Sequence, residues 1–343
     1  MKLECTSFRA ILYFYRTNGS SMKSIYALLV VLLLTGCKEK ESKNTPATSD
    51  YSSEVSYSWE KPYQTISLSG DTLSADEPSA ELLQKLKQKQ HLYASNPGDL
   101  DSLIWYGRFT AYTGDYRKAI DIYTHGLEQF PNESRLLRHR GHRYISLREF
   151  DKAIADLQRA ANLIQGKENM VEEDGMPNAQ NIPVSTMHGN IYYHLGLAHY
   201  LKGNYEEALT AYSQCLHSAS NPDNVVSSTH WLYMILKKLG RDEDALEVLD
   251  AVSEQMNVIE NHSYHKACLF YKGLLELEDV YSPGAEDTPS NSALAYAIGN
   301  WYAYNDQPEQ AKGILNTIVA GSDWASFGYI AAETDLARTP PTP

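Results

Sequence analysis

The chain has 343 residues, 43% of them hydrophobic and 21% charged, with a formal net charge of −13. Such a composition describes an ordinary globular protein and lacks the basic field that general nucleic-acid binding requires. Tyrosine outnumbers phenylalanine 25 to 7, which suits recognition surfaces and helix packing alike.

In chain order, the first feature is a targeting signal. Lys23 precedes ten apolar residues, Ile25 to Leu34, which are too few to span a bilayer and of signal-peptide length. The run ends in Leu34-Thr35-Gly36-Cys37. That ending resembles the bacterial lipobox, in which the cysteine is acylated and becomes the new N-terminus. Residues 22–36 are therefore expected to be a lipoprotein signal peptide and Cys37 the lipidation site. Residues 1–21 fit badly before such a signal, so translation is expected to start at Met22. Two or three acyl chains anchor stably where one is marginal. Lys38 in place of Asp after the cysteine points to the outer membrane of the cell envelope. Residues 37–78 are rich in Ser, Thr, Lys and Glu and read as a disordered tether. A leading helix is expected within 79–99.

A repeat follows. The stretches "GDYRKAIDIY", "REFDKAIADL", "GNYEEALTAY" and "GRDEDALEVL" align on Ala119, Ala153, Ala208 and Ala245. Gly107, Gly141 and Gly196 each lie twelve residues before the first three of these alanines. The pattern resembles the tetratricopeptide repeat, a helix–turn–helix unit whose small residues let its two helices touch. The fold class implied is all-α, a right-handed solenoid of stacked repeats. Repeats fall at 100–133 and 134–167, then 189–222 and 226–259, on either side of an insertion at 168–188. An extra helix and loop occupy 260–291, and a degenerate repeat with a capping helix occupies 292–338.

In this family the first helix of each repeat lines a concave face with residues spaced i, i+3, i+7, i+10 and i+11, which share one helical stripe. The stripe contains Arg108 and Tyr112, then Arg135, Arg138 and His142, then Asn190, Tyr193 and Tyr200, then His230 and Lys237. Asp101 is its one acidic member. Such a cleft attracts anions, so these ten residues are the candidate ligand-binding set. If His142 bound as a cation, affinity would strengthen on acidification.

Arg140 and Arg143 fall where the family packs a leucine and a small residue. A buried guanidinium needs a carboxylate, and partners are expected from the acids at 168–174 or from the preceding repeat. The insertion is accordingly expected to fold back beside "RHRGHR", partly over the groove.

Other chemistry has little support. His139/His142 and His262/His265 have the spacing of zinc ligands, but flanking arginines disfavour a cation. Hydrolase elbow, metalloprotease, P-loop and dinucleotide motifs do not occur. Cys215 and Cys268 read as buried thiols. The carboxylate-clamp pattern of chaperone-binding members is also missing. The reading is a membrane-anchored, non-enzymatic interaction protein without metal or cofactor. It would hold an acidic or carboxylate-bearing segment of a partner protein in a Tyr-lined groove. The alternative is an envelope enzyme or a receptor for an anionic small molecule or glycan. A closed pocket would favour the alternative, and an open groove the first reading.

Overall fold

A computed structural model describes residues 61–284 and 288–338. The signal peptide, Cys37 and the residues before Lys61 lie outside it. Fourteen α-helices and one β-hairpin make up the described residues. The hairpin pairs β1 (Tyr63–Ile66) antiparallel with β2 (Thr72–Ser74). It corrects the expected extent of the tether, because residues 61–78 carry structure that packs on the repeats. Gln64 is fully buried and accepts a hydrogen bond from the Arg117 amide at 3.1 Å. The Thr65 hydroxyl donates to the Leu147 carbonyl at 3.0 Å.

Helix α1 (Ala80–Ser95) leads into the solenoid. The first repeat is α2 (Leu100–Tyr112) and α3 (Tyr116–Gln129), and the second is α4 (Ser134–Ser146) and α5 (Phe150–Leu163). The third is α6 (Met187–Lys202) and α7 (Tyr205–His217). The side chains of Asp99 and Thr186 cap α2 and α6 by accepting exposed backbone amides. Glycine is required inside two of these helices by close approach. A Cβ on Gly107 would lie 2.3 Å from the Tyr123 ring, and one on Gly196 would lie 2.5 Å from Tyr212. The first and third repeats thus seat an aromatic ring of the second helix directly on the backbone of the first, and the second repeat seats Leu157 on Gly141 in the same way.

The later repeats depart from this regularity. α8 (Pro222–Lys238) is almost wholly buried, and its partner α9 (Asp242–Val248) is short and ends in a 3₁₀ turn. α10 (His262–Tyr271) packs against α8, followed by the single-turn α11 (Leu277–Val280). α12 (Pro289–Tyr304) and α13 (Pro308–Val319) form the last helix pair. Helix α14 (Phe327–Arg338) packs on α12 and α13 and also reaches α6.

Tyrosine fills much of this core. Tyr123, Tyr200, Tyr212 and Tyr296 are fully buried together with Trp231. Several of their polar ends are joined: the Trp231 indole donates to the Tyr193 hydroxyl at 2.8 Å, although the Tyr212 hydroxyl is buried without a partner. The Tyr200 hydroxyl bonds that of Tyr296 at 2.7 Å, and Tyr296 donates to Asp335 at 2.8 Å. The excess of Tyr over Phe is thus in large part an interior feature.

Helix α14 closes the structure. Glu333 accepts two charge-assisted bonds from Arg148 and one from the Leu68 amide at 2.7 Å. Both side chains of the ion pair are almost fully buried, at 3% and 4% exposure. Arg148 also reaches the Trp324 carbonyl, and the Trp324 indole donates to the Ser74 carbonyl at 3.1 Å. The hairpin, the end of α4 and the last helix are therefore bound at one point. Removing one partner of a buried pair strands the other charge, at a cost of about 3–5 kcal/mol. Arg148→Ala is expected to lower stability by that amount, read as a shifted denaturant midpoint with an unchanged slope.

Candidate functional site

A pocket of about 360 Å³ opens on the concave face of the first three repeats. It is not a groove that runs from end to end. Phe327 of α14 enters the concave side and packs on His142 and His194, with ring centroids 5.3 and 5.7 Å away. The insertion covers another side through Glu172, Glu173 and Asp174. Glu260, Asn261 and Tyr264 form a further wall. That wall is fixed by the buried Asp223 carboxylate, which accepts the amides of Ile259, Glu260 and Asn261 at 2.9, 2.7 and 2.8 Å.

Six of the ten expected residues line this pocket: Arg108, Tyr112, Arg138, His142, Asn190 and Tyr193. The other four do not, and each has a physical reason. Arg135 is bound outward by Asp101 at 2.6 Å and Glu133 at 3.1 Å. Tyr200 is fully buried among Tyr296 and Trp231. His230 is buried between the stacked rings of Tyr264 and Tyr271. Lys237 is bound to Asp242 at 2.5 Å. Around Tyr200 and His230 the stripe faces protein rather than solvent, while Arg135 and Lys237 are drawn to acids outside the pocket.

The insertion does lie beside α4. Arg138 is ion-paired with Glu172, which also accepts from the Asn190 side-chain amide. Arg108 donates to the Glu173 carbonyl at 2.9 Å and stacks its guanidinium 4.2 Å from the Trp105 ring centroid. Gly175 sits so close to Tyr112 that a Cβ would come 2.6 Å from the phenol oxygen.

The expected partners of the two packing arginines need correction. Arg140 is held by Asp156 of its own repeat in a fork of 2.7 and 2.8 Å, with the Thr124 hydroxyl at 3.0 Å. Arg143 has no carboxylate at ion-pair distance among the described residues. It lies 5.1 Å from the Tyr116 ring centroid. Burial lowers its pKa, and the nearby Arg138 charge works in the same direction. A guanidinium stays protonated regardless, so Arg143 presents a positive charge to a pocket whose other charged lining groups are Arg108, Arg138, Glu172, Glu173, Asp174 and Glu260.

The histidines supply no positive charge. His139, His142 and His194 are all enclosed, and burial first and neighbouring arginines second drive their pKa values down. His194 falls to about 3, and its Nδ1–H donates to the Asn190 carbonyl at 2.6 Å. His142 is therefore neutral in the free protein, because low pH would have to charge it against Arg138 and Arg143. Asp174 shifts the other way, raised by burial and then by the charge of Glu260. No group of three or more His, Cys, Asp or Glu among the described residues is arranged to hold a metal ion. Cys215 and Cys268 are separate buried thiols, pushed up in pKa by burial, Cys215 to about 12.

Residues 189–221, which build α6 and α7, match the family model of the tetratricopeptide repeat. Residues 189–221 carry a tetratricopeptide repeat. No curated protein matches it in sequence. Among solved structures it is similar to a tetratricopeptide repeat protein from Parabacteroides merdae, at 16% identity and a TM-score of 0.45, over 75% of this chain and 93% of that one. It is also similar to YrrB, described as a repeat protein with an unusual peptide-binding site, at 17% identity and 0.39, over 73% and 99%. MamA from AMB-1 matches at 17% and 0.38, over 50% of this chain and 86% of that one.

Two expected outcomes follow from these charges. Arg143→Met removes a half-buried cation that has no carboxylate at ion-pair distance among the described residues, so its melting temperature should equal or exceed the parent's. Arg140→Ala strands Asp156 and should cost about 2–4 kcal/mol in the same measurement. Histidines whose folded pKa lies below the unfolded value of about 6.5 contribute stability that is intact above that pH and is lost as pH falls toward the folded value. His194 and His230, both lowered to about 3, should each remove up to about 1.4 kcal/mol per pH unit below 6.5. Melts between pH 7 and 5 should show a steady decline, shallower in His230→Phe.

Proposed function

We propose that the chain is a protein-interaction module that receives a carboxylate-bearing group of a partner in the concave pocket. The observation that carries this reading is Arg143, a half-buried cation with no carboxylate at ion-pair distance among the described residues, lining a pocket that Arg108 and Arg138 also line. An incoming carboxylate would accept guanidinium hydrogen bonds in a fork geometry and relieve the cost of the stranded charge. Tyr112 and Tyr193 offer ring faces for the apolar part of the same segment. Tetratricopeptide repeats scaffold protein–protein contacts, and that supports a protein partner.

The alternative, a small anionic ligand, is favoured by one feature. Phe327 and the insertion close the site to about 360 Å³, a volume in the small-molecule range. Both readings share the same anion chemistry. Attachment to the cell envelope through acylated Cys37 belongs to the proposal too, supported by the lipobox-like Leu34–Cys37 and the apolar run before it.

The test is an array of acidic, basic and neutral peptides, with free citrate as competitor. The parent should prefer acidic peptides, and Arg143→Met should lose at least tenfold in affinity while still folding. Binding should weaken as salt rises. A preference for basic peptides, or an unchanged profile in Arg143→Met, would overturn the reading. Binding of citrate with no acidic peptide bound would decide for the alternative. For the anchor, cells given a fatty-acid analogue should label the parent and not Cys37→Ala.

A further inference from the structure

Glu172 comes from the insertion, yet it sits where the sequence places ligand recognition. Its carboxylate is bound to Arg138 and to Asn190, members of the concave stripe on two successive repeats. It is well buried, at 11% side-chain exposure. We propose that Glu172 is a built-in stand-in for the partner's acidic group, and that residues 168–188 must move aside, at least in part, for that group to bind. This inference rests on the anion-recognition reading above.

Two features make the stand-in displaceable. First, it satisfies Arg138 incompletely. One terminal nitrogen of that guanidinium meets Glu172, the other is spent on His139 Nδ1 at 2.7 Å, and Nε is buried with no partner. A ligand that engages the fork more fully, or that spans Arg138 and Arg143 together, has more to gain than Glu172 does. Second, the insertion gains little from apolar burial. Met170, Val171, Met176 and Ile182 are 48–65% exposed. What holds it to the repeats is mainly polar: Arg108 to the Glu173 carbonyl, Asn169 to the Ser218 carbonyl at 3.2 Å, and Asn178 to Glu260 at 2.7 Å. Segments with few buried apolar contacts open at low cost. Val184 is the exception, at 4% exposure. Asn221 and Asn224 both donate to its carbonyl, so the insertion is pinned near its end. Residues 170–172 are tied to that end by a short backbone ladder, with the Glu172 N–H donating to the Ser185 carbonyl at 3.0 Å and the Met187 N–H to the Met170 carbonyl at 2.8 Å. This ladder must open for Glu172 to leave.

The stand-in also acts as a filter. An acid already on Arg138 rejects weak or single anions, because each must displace a resident carboxylate before it gains anything. A ligand with the right spacing of negative charge replaces it, since Arg143 supplies attraction that Glu172 does not use.

The experiment compares the full chain with Glu172→Gln. The probe is a fluorescent peptide of alternating Glu and Ala, and hydrogen exchange is followed over 168–188. Glu172→Gln should bind the probe at least tenfold more tightly and should speed exchange at 170–176 without any probe. In the parent, saturating probe should likewise speed exchange in that segment. Equal affinity in the two proteins, or exchange in 170–176 that probe leaves unchanged or slows, would overturn the stand-in and leave the anion-recognition reading intact. If neither protein binds the probe, both readings fall. Glu172→Asp, which keeps the charge on a shorter side chain, should bind between the two, and a value equal to Glu172→Gln would tie the effect to packing instead of charge.

Discussion

The buried pair between Arg148 and Glu333 governs what the rest of the molecule can be. In a right-handed stack of helix pairs the concave side is open unless something crosses it. Here the last helix crosses it, and its position is set by a carboxylate that Arg148 and the Leu68 amide hold together. Arg148 adopts a left-handed backbone, φ 64°, which costs a non-glycine residue of order 1 kcal/mol. Such strain persists where the surroundings over-determine it, and the ion pair, the Trp324 carbonyl and the hairpin do so. With α14 in place, Phe327 reaches the histidines and the groove shortens to a pocket.

That closure explains which parts of the site were legible in the sequence. The repeat is a local code. Ala119, Ala153 and Ala208 are buried at helix contacts, and Gly107 and Gly196 admit the rings of Tyr123 and Tyr212. Helix-by-helix reading recovers such features because the contact lies within one repeat. The inward stripe is equally local, and it correctly brings Arg108, Arg138, His142, Asn190 and Tyr193 to one place. Whether inward means solvent is a long-range property. Tyr200 and His230 lie on the same stripe, but α12, α14 and α10 cover them. Nothing in their immediate neighbourhood announces that cover.

Arg140 and Arg143 show the same limit from the other side. Both break the repeat's packing rule, and a carboxylate was the reasonable expectation for each. Asp156 answers Arg140 from the second helix of the same repeat, sixteen residues on, a spacing that was available in the sequence. Arg143 has the Tyr116 ring beside it instead, 5.1 Å from the guanidinium carbon. The hairpin at 63–74 was masked by its composition. Its seven-residue core of polar and β-branched residues earns its order from Arg117, Leu147 and Glu333, which are far away in the chain.

Solenoids are usually modular: each unit touches its neighbours, and units can be gained or lost by duplication or deletion without disturbing the far end. The clasp removes that freedom. Its contacts join residues 265, 250 and 185 positions apart, so the stack has a fixed circumference. Adding or deleting one helix pair would rotate α14 away from Arg148 and misalign the hairpin with Trp324. The stack is held here to a single count of helix pairs, and the pocket wall, above all the insertion, is the part that can change without moving α14, whereas lengthening the coil cannot.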